Sequence, residues 1–110
     1  MRVGAISHLQ ALYIFTHDSF WVGEDGPTHE PIEHTMSIRL IPNMHVFRPA
    51  DGVEVAMSYW AALNRKNGPS TLLFSRQNLP ALTRPASFSP DDVLKGAYAL
   101  NDVAQPKLVL

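Results

Sequence analysis

Residues 44 to 74 read MHVFRPADGVEVAMSYWAALNRKNGPSTLLF, and this stretch decides the fold. Met44 to Phe47 is short and mostly apolar, as a strand is, and Arg48-Pro49-Ala50 breaks it. Asp51 and Glu54 then have the spacing of an N-terminal capping box, in which two side chains satisfy the free amides of a new helix. Val53, Ala56, Met57, Trp60, Ala61 and Asn64 follow at helical spacing, with Trp60 read as a core residue. Arg65 and Lys66 complement the negative end of the helix dipole, and Gly68-Pro69 terminates the helix. Ser70 to Phe74 is a further apolar strand. A strand, a helix and a strand joined by short connections predict parallel pairing, because the crossover helix carries the chain back to the end where the first strand began. The expected fold class is α/β, a partial doubly wound parallel sheet.

Working outward, residues 1–10 have the mixed character of a helix end, and Leu9 to Phe15 (LQALYIF) predicts a buried strand over 11–16. Residues 17–30 carry glycine and proline but no apolar period and predict a loop. Pro31 suits the first turn of a helix carrying Ile32, Met36 and Leu40, which Pro42-Asn43 stops. Downstream, Pro80 to Asp92 turns to Pro, Ser, Thr and Ala without periodicity and reads as a linker. Gly96 to Leu100 reads as a short strand, and Lys107 to Leu110 as the beginning of another. The resulting organisation is a partial domain over 1–80, a linker over 81–95 and the start of a second domain over 96–110.

Composition narrows the function classes. With 110 residues and 45% hydrophobic content the chain can form a core. Nine basic and ten acidic residues leave a net charge of −1, without the cationic excess that nucleic-acid binding requires. The interval between Arg2 and Arg39 holds Asp18, Glu24, Asp25, Glu30 and Glu33 and no Lys or Arg, so a polyanion would be repelled there. No cysteine is present, which excludes thiolate chemistry. No stretch approaches the roughly 18 apolar residues of a membrane span, and no signal-peptide pattern opens the chain, so a soluble, cytoplasmic protein is expected.

In an open parallel sheet, ligands bind beyond the carboxyl ends of the strands. That rule selects His17 and Asp18 after the first strand, Arg48 after the second, and Ser75-Arg76-Gln77-Asn78 after the third. The rim so formed collects imidazole, guanidinium, carboxylate and amide groups, the mixture that a phosphorylated, polyhydroxylated ligand needs. A metal site is disfavoured: His29 and His34 are five residues apart, about 140° around a helix, and no His-x-x-x-His pair occurs.

The strings FTHDS, GEDGPTHEPIEH, IPNMHVFRPAD and SRQNLP, spread over residues 14 to 80, resemble those of transketolases in order and spacing. The synthase of deoxyxylulose phosphate shares only the GPTH core, while dihydroxyacetone synthases are closer and stay open as an alternative. The resemblance implies the thiamine-diphosphate-binding fold, here the later part of its pyrimidine-binding domain. It also implies transfer of a two-carbon ketol unit from a ketose phosphate to an aldose phosphate. On matching positions, His17 and Arg76 would hold the sugar phosphate, Asp25 would read a substrate hydroxyl near the carbonyl, and His29 would lie beside the reacting carbons as the catalytic group. Without the resemblance these residues read blandly: His17-Asp18 as a turn with a local hydrogen bond, Asp25-Gly26-Pro27 as a turn, Arg76 as an ion-paired strand end. Arg48 and Asp51 read as structural, since an Arg before Pro and a helix cap need no ligand.

Two departures stand out. Transketolases usually carry Ile-Gly where this chain has Phe20-Trp21, and Gln where it has Glu30. Two aromatics in these positions would narrow the channel or pack on a neighbouring chain, and Glu30 adds charge near His29. The resemblance implies that the family's diphosphate and Mg²⁺ or Ca²⁺ site, its activating glutamate and the aromatics that stack on the cofactor belong to segments other than these 110 residues. Expectation is therefore that this chain alone binds no cofactor, lacks ketol transfer and tends to associate. Its partners would be sugar phosphates, the missing transketolase segments or a second chain, with assembly as a homo-oligomer. The competing expectation is a non-catalytic sugar-phosphate-binding or interaction module.

Overall fold

The computed structural model of the protein describes residues 1–101 and 104. Helix α1, Arg2–Ile6, leads into strand β1, Leu12–Asp18; helix α2, His34–Arg39, precedes strand β2, His45–Phe47; helix α3, Gly52–Asn64, precedes strand β3, Ser70–Ser75. Stretches of 3₁₀ turn occupy Phe20–Asp25 and Pro90–Lys95. The strands are parallel in the order β1-β3-β2, so the last in sequence lies in the middle. Leu12 to Phe15 pair with Ser70 to Leu73, and His45 to Phe47 with Ser70 to Leu72. The parallel α/β unit expected from residues 44–74 is the one observed.

Position in the sheet decides burial. Paired on both edges, β3 buries Ser70, Thr71, Leu72 and Leu73, and Thr71 donates its hydroxyl to Sδ of Met44 at 3.2 Å. The expectation of a buried first strand is not met: β1 is an outer strand, and Ile14 and Phe15 are 48% and 44% exposed. The helix expected from Pro31 begins only at His34, and Ile32, Met36 and Leu40 lie on the surface, because α2 is less than two turns long and its main packing is against β2 alone.

Helix α3 forms as its pattern predicts but packs on a different face. Asp51 Oδ1 accepts the amide of Glu54 at 3.1 Å, while Glu54 Oε2 accepts the amide of Ala50 at 2.8 Å, one residue earlier than a strict capping box requires. Ser58 and Ala62 are its buried residues, and the Tyr59 ring lies 6.0 Å from that of Phe74 on β3. Trp60, expected in the core, is 59% exposed. It lies about 200° around the helix from Ser58, off the buried stripe of the helix.

The proline-rich stretch after β3 is docked. Arg84 and Tyr98 reach Asp51 and Glu54 at the start of α3, and Phe88 and Tyr98 pair their rings at 5.2 Å. Gly96 to Leu100 forms no strand, contrary to expectation. The strand expected over Lys107 to Leu110 lies outside the described residues.

At the amino ends of the strands, Asn43 is the junction. In the left-handed region (φ 61°), it donates to the carbonyls of Ala5 and Asn67 at 3.0 and 3.1 Å, and its Oδ1 accepts from Nη2 of Arg65 at 2.5 Å. Arg65 also donates to the carbonyl of Pro69. Gly68 is needed here for space: a Cβ would sit 2.6 Å from Nη2 of Arg65 and 2.7 Å from Nδ2 of Asn43. This junction fixes the starts of β2 and β3 and leaves the opposite rim free for chemistry. Among the described residues no helix is long and apolar enough to cross a membrane.

Candidate functional site

The rim is shaped by an irregularity in β1. Phe15 pairs with Leu73, yet the next pair is Asp18 with Ser75, so β1 spends three residues where β3 spends two. The extra residue is a β-bulge, a device that kinks a strand and re-aims its side chains. His17 takes a positive φ of 67° within it, and Ser19 follows at φ 86°. Asp18, between them, is buried and accepts an ion-pairing hydrogen bond from Nε of Arg48.

Beside the bulge lies a cleft of about 380 Å³. His17 and Asp18 line it from β1, Thr28, His29 and Glu30 from the following loop, and His34 from α2. The two expected histidines share a local arrangement. Thr16 Oγ1 lies 3.0 Å from Nδ1 of His17, and Thr28 Oγ1 lies 3.0 Å from Nδ1 of His29. Each hydroxyl engages one ring nitrogen, so Nε2 is left as the ring's remaining donor or acceptor.

Asp25 and Arg76 meet each other instead. Nε of Arg76 is 3.2 Å from Oδ2 of Asp25, and its Nη2 is 3.5 Å from Oε1 of Glu24. Neither Asp25 nor Arg76 lines the cleft. One loop links the two halves: Val22 is buried, Glu24 and Asp25 face Arg76, Gly26 turns the chain at φ 79°, and His29 donates its amide to the Gly26 carbonyl at 3.1 Å. The structure thus joins His17 with His29, and Asp25 with Arg76. Phe20 and Trp21, with rings 5.5 Å apart, project from this loop into solvent and do not narrow the cleft.

Sequence reasoning assigned no role to His34 and treated Arg48 only as structural. His34, five residues after His29, had been considered only as a metal ligand. The Asp18–Arg48 pair was legible only as two residues on one rim; nothing in their spacing shows that they touch across β3.

Residues 1–81 match the transketolase pyrimidine-binding domain as a family. The chain belongs to the transketolase family. It is 48% identical over its whole length to the plasmid transketolase of Cupriavidus necator, of which it covers 16%. Among solved structures it resembles transketolase from Campylobacter jejuni with a TM-score of 0.85 and 44% identity, over 96% of this chain and 16% of that one. It also resembles transketolase from Pichia stipitis in complex with sedoheptulose-7-phosphate, with a TM-score of 0.83 and 42% identity, over 96% of this chain and 15% of that one. The chain therefore spans about a sixth of the length of these transketolases.

Transketolases imply thiamine diphosphate and a divalent cation. The cleft does not fit that group: no Lys or Arg lines it to meet a diphosphate. Among the described residues no three His, Asp or Glu side chains are placed to hold a metal ion. What the cleft offers is imidazoles, hydroxyls and carboxylates suited to hydroxyl groups, with a guanidinium nearby on the same rim.

Proposed function

We propose that this chain supplies the substrate-positioning face of a transketolase, which moves a two-carbon ketol unit from a ketose phosphate to an aldose phosphate. The observation that carries this reading is the convergence of His17 and His29 on one cleft at the carboxyl ends of parallel strands, in a chain of this family. His17 and Arg76 hold the sugar phosphate, Asp25 accepts a hydrogen bond from a substrate hydroxyl, and His29 stands by the reacting carbons. For Arg76 and Asp25 to act so, their mutual ion pair opens and the phosphate replaces the carboxylates on the guanidinium. Thiamine diphosphate, with Mg²⁺ or Ca²⁺, is held by other segments or by a second chain of a cytoplasmic homo-oligomer. Residues 1–80 act as part of the pyrimidine-binding domain, 81–95 as the connection and 96–110 as the start of the next domain.

The test is an exchange. A hybrid is made in which the matching stretch of the Cupriavidus necator transketolase is replaced by this chain, and ketol transfer to ribose 5-phosphate is measured. The hybrid should turn over; Arg76→Ala should raise KM for the sugar phosphate by roughly tenfold or more, and His29→Ala should lower kcat. A folded hybrid without turnover overturns the reading. The alternative, a non-catalytic sugar-phosphate-binding module, predicts that the 110-residue chain alone binds ribose 5-phosphate in calorimetry and loses binding in Arg76→Ala.

A further inference from the structure

Arg48 does not line the cleft, yet it pairs with Asp18, the cleft residue next to His17. It follows β2, whereas Asp18 ends β1, and β3 runs between the two strands. The Arg48–Asp18 ion pair therefore spans the carboxyl end of the central strand and ties the two outer strands together at the rim. We propose that Arg48 is a positioning residue, acting through Asp18 to hold the β1 bulge in the conformation that presents His17 to the cleft.

Three observations support this. Asp18 sits between two residues of positive φ, His17 at 67° and Ser19 at 86°, conformations that L side chains adopt only where surrounding contacts enforce them. The Asp18 carboxylate is buried, and such a group stays folded inward only with a partner. Arg48 is its only ion-pair partner among the described residues, while Ser19 is held on its other side by Oγ accepting the amide of Trp21 at 3.2 Å. Without Arg48 the buried carboxylate turns toward water, the extra residue in β1 loses its anchor, and His17 relaxes to negative φ. The inference draws on the proposed role of His17 for its functional meaning, but its structural content stands apart from that role.

The experiment separates the two. In the 110-residue chain, with no ligand present, the three-bond amide to α-proton coupling and the Cβ shift of His17 report its φ. Arg48→Met should move both to values of negative φ while the amides of Thr71 to Leu73 keep their positions. The swap Asp18→Arg with Arg48→Asp should bring the His17 signature back. If Arg48→Met does not fold, Asp18→Asn carries the same test, because it removes the charge that Arg48 holds and keeps the side chain's size. A folded Arg48→Met or Asp18→Asn chain whose His17 stays at positive φ overturns the proposal. In the hybrid enzyme, Arg48→Met should raise KM for the sugar phosphate by about tenfold and leave kcat within about threefold. An inactive parent hybrid would sink the functional reading and leave the His17 measurement to decide the positioning role.

Discussion

Arg84 holds Asp51 with both prongs of its guanidinium, Nη1 at 2.6 Å from Oδ2 and Nη2 at 2.8 Å from Oδ1. Asp51 is at the same time the cap of α3 and accepts the amide of Leu82 at 3.1 Å. The Tyr98 hydroxyl donates to Glu54 at 2.5 Å and accepts from Nε of Arg84 at 3.2 Å, and the guanidinium lies 4.8 Å from the centre of the Phe88 ring. One carboxylate thus fixes both the start of a helix and the segment that follows the sheet. Arg84→Met should lower the urea midpoint clearly more than Lys95→Met, whose partner Asp92 leaves its lysine exposed.

The same pair gives a pH dependence. The Arg84 hydrogen bonds hold the Asp51 carboxyl far below the usual carboxylate range, overriding the opposing effect of burial. A carboxyl whose folded pKa is depressed stabilises the fold above its unfolded value, about 3.9, and loses that contribution as pH falls toward the folded value. Midpoints of the unmodified chain and of Arg84→Met should therefore converge in strong acid and stay apart from about pH 5 upward. Parallel curves across the acid range would contradict the assignment.

Glu24 and Asp25 occupy the guanidinium that a phosphate would need. Removing the more exposed competitor should help the ligand. Glu24→Gln in the hybrid enzyme is expected to lower KM for the sugar phosphate about twofold to fivefold, the range of a single solvent-facing ion pair. An unchanged or raised KM would mean that Glu24 does not compete.

His17 is held in a backbone conformation that glycine adopts freely. His17→Gly should therefore leave stability unchanged or raise it by roughly 1 kcal/mol, while weakening sugar-phosphate recognition in the hybrid. His17→Val should lose both. Thermal denaturation of the three chains, compared with KM, shows whether the residue is kept for its imidazole at a conformational cost.

Trp60 and Ala62 invert the usual expectation for their sizes. Trp60→Ala should change stability by no more than about 0.5 kcal/mol, since the indole is largely in water. Ala62→Leu should cost about 1–3 kcal/mol, because that position is closed on all sides. A large loss in Trp60→Ala would show that the packed face of α3 has been misplaced.

The βαβ unit was legible because its cues are local: an apolar run, a cap, a helical period, a Gly-Pro stop. The face of α3 was not, because which side of the helix is buried depends on partners distant in sequence, among them the Pro90–Lys95 turn that packs on it, and their docking leaves no periodic trace. Exposure of Ile14 and Phe15 was hidden for a similar reason, since an apolar strand reads alike whether its place is central or outer. At the site, position beyond the strand ends was readable for Arg48 and Arg76, whereas His17, expected after the first strand, lies within β1 because the strand runs on to Asp18. The bulge was not readable, for one surplus residue in a strand shows only when its partner is known.

The strand order has a kinetic consequence. β1 and β2 do not pair with each other; both wait for β3, the last of the three to leave the ribosome. Each pairing closes a long loop, about sixty residues between β1 and β3, before any ladder hydrogen bond compensates for the lost chain entropy. Neither β1 nor β2 can form its ladder with β3 until Ser70–Ser75 emerges, so the rim with His17, Arg48 and Arg76 is completed only then. A ribosome stalled before Ser70 would display residues that belong to the site without any of the geometry that makes it one.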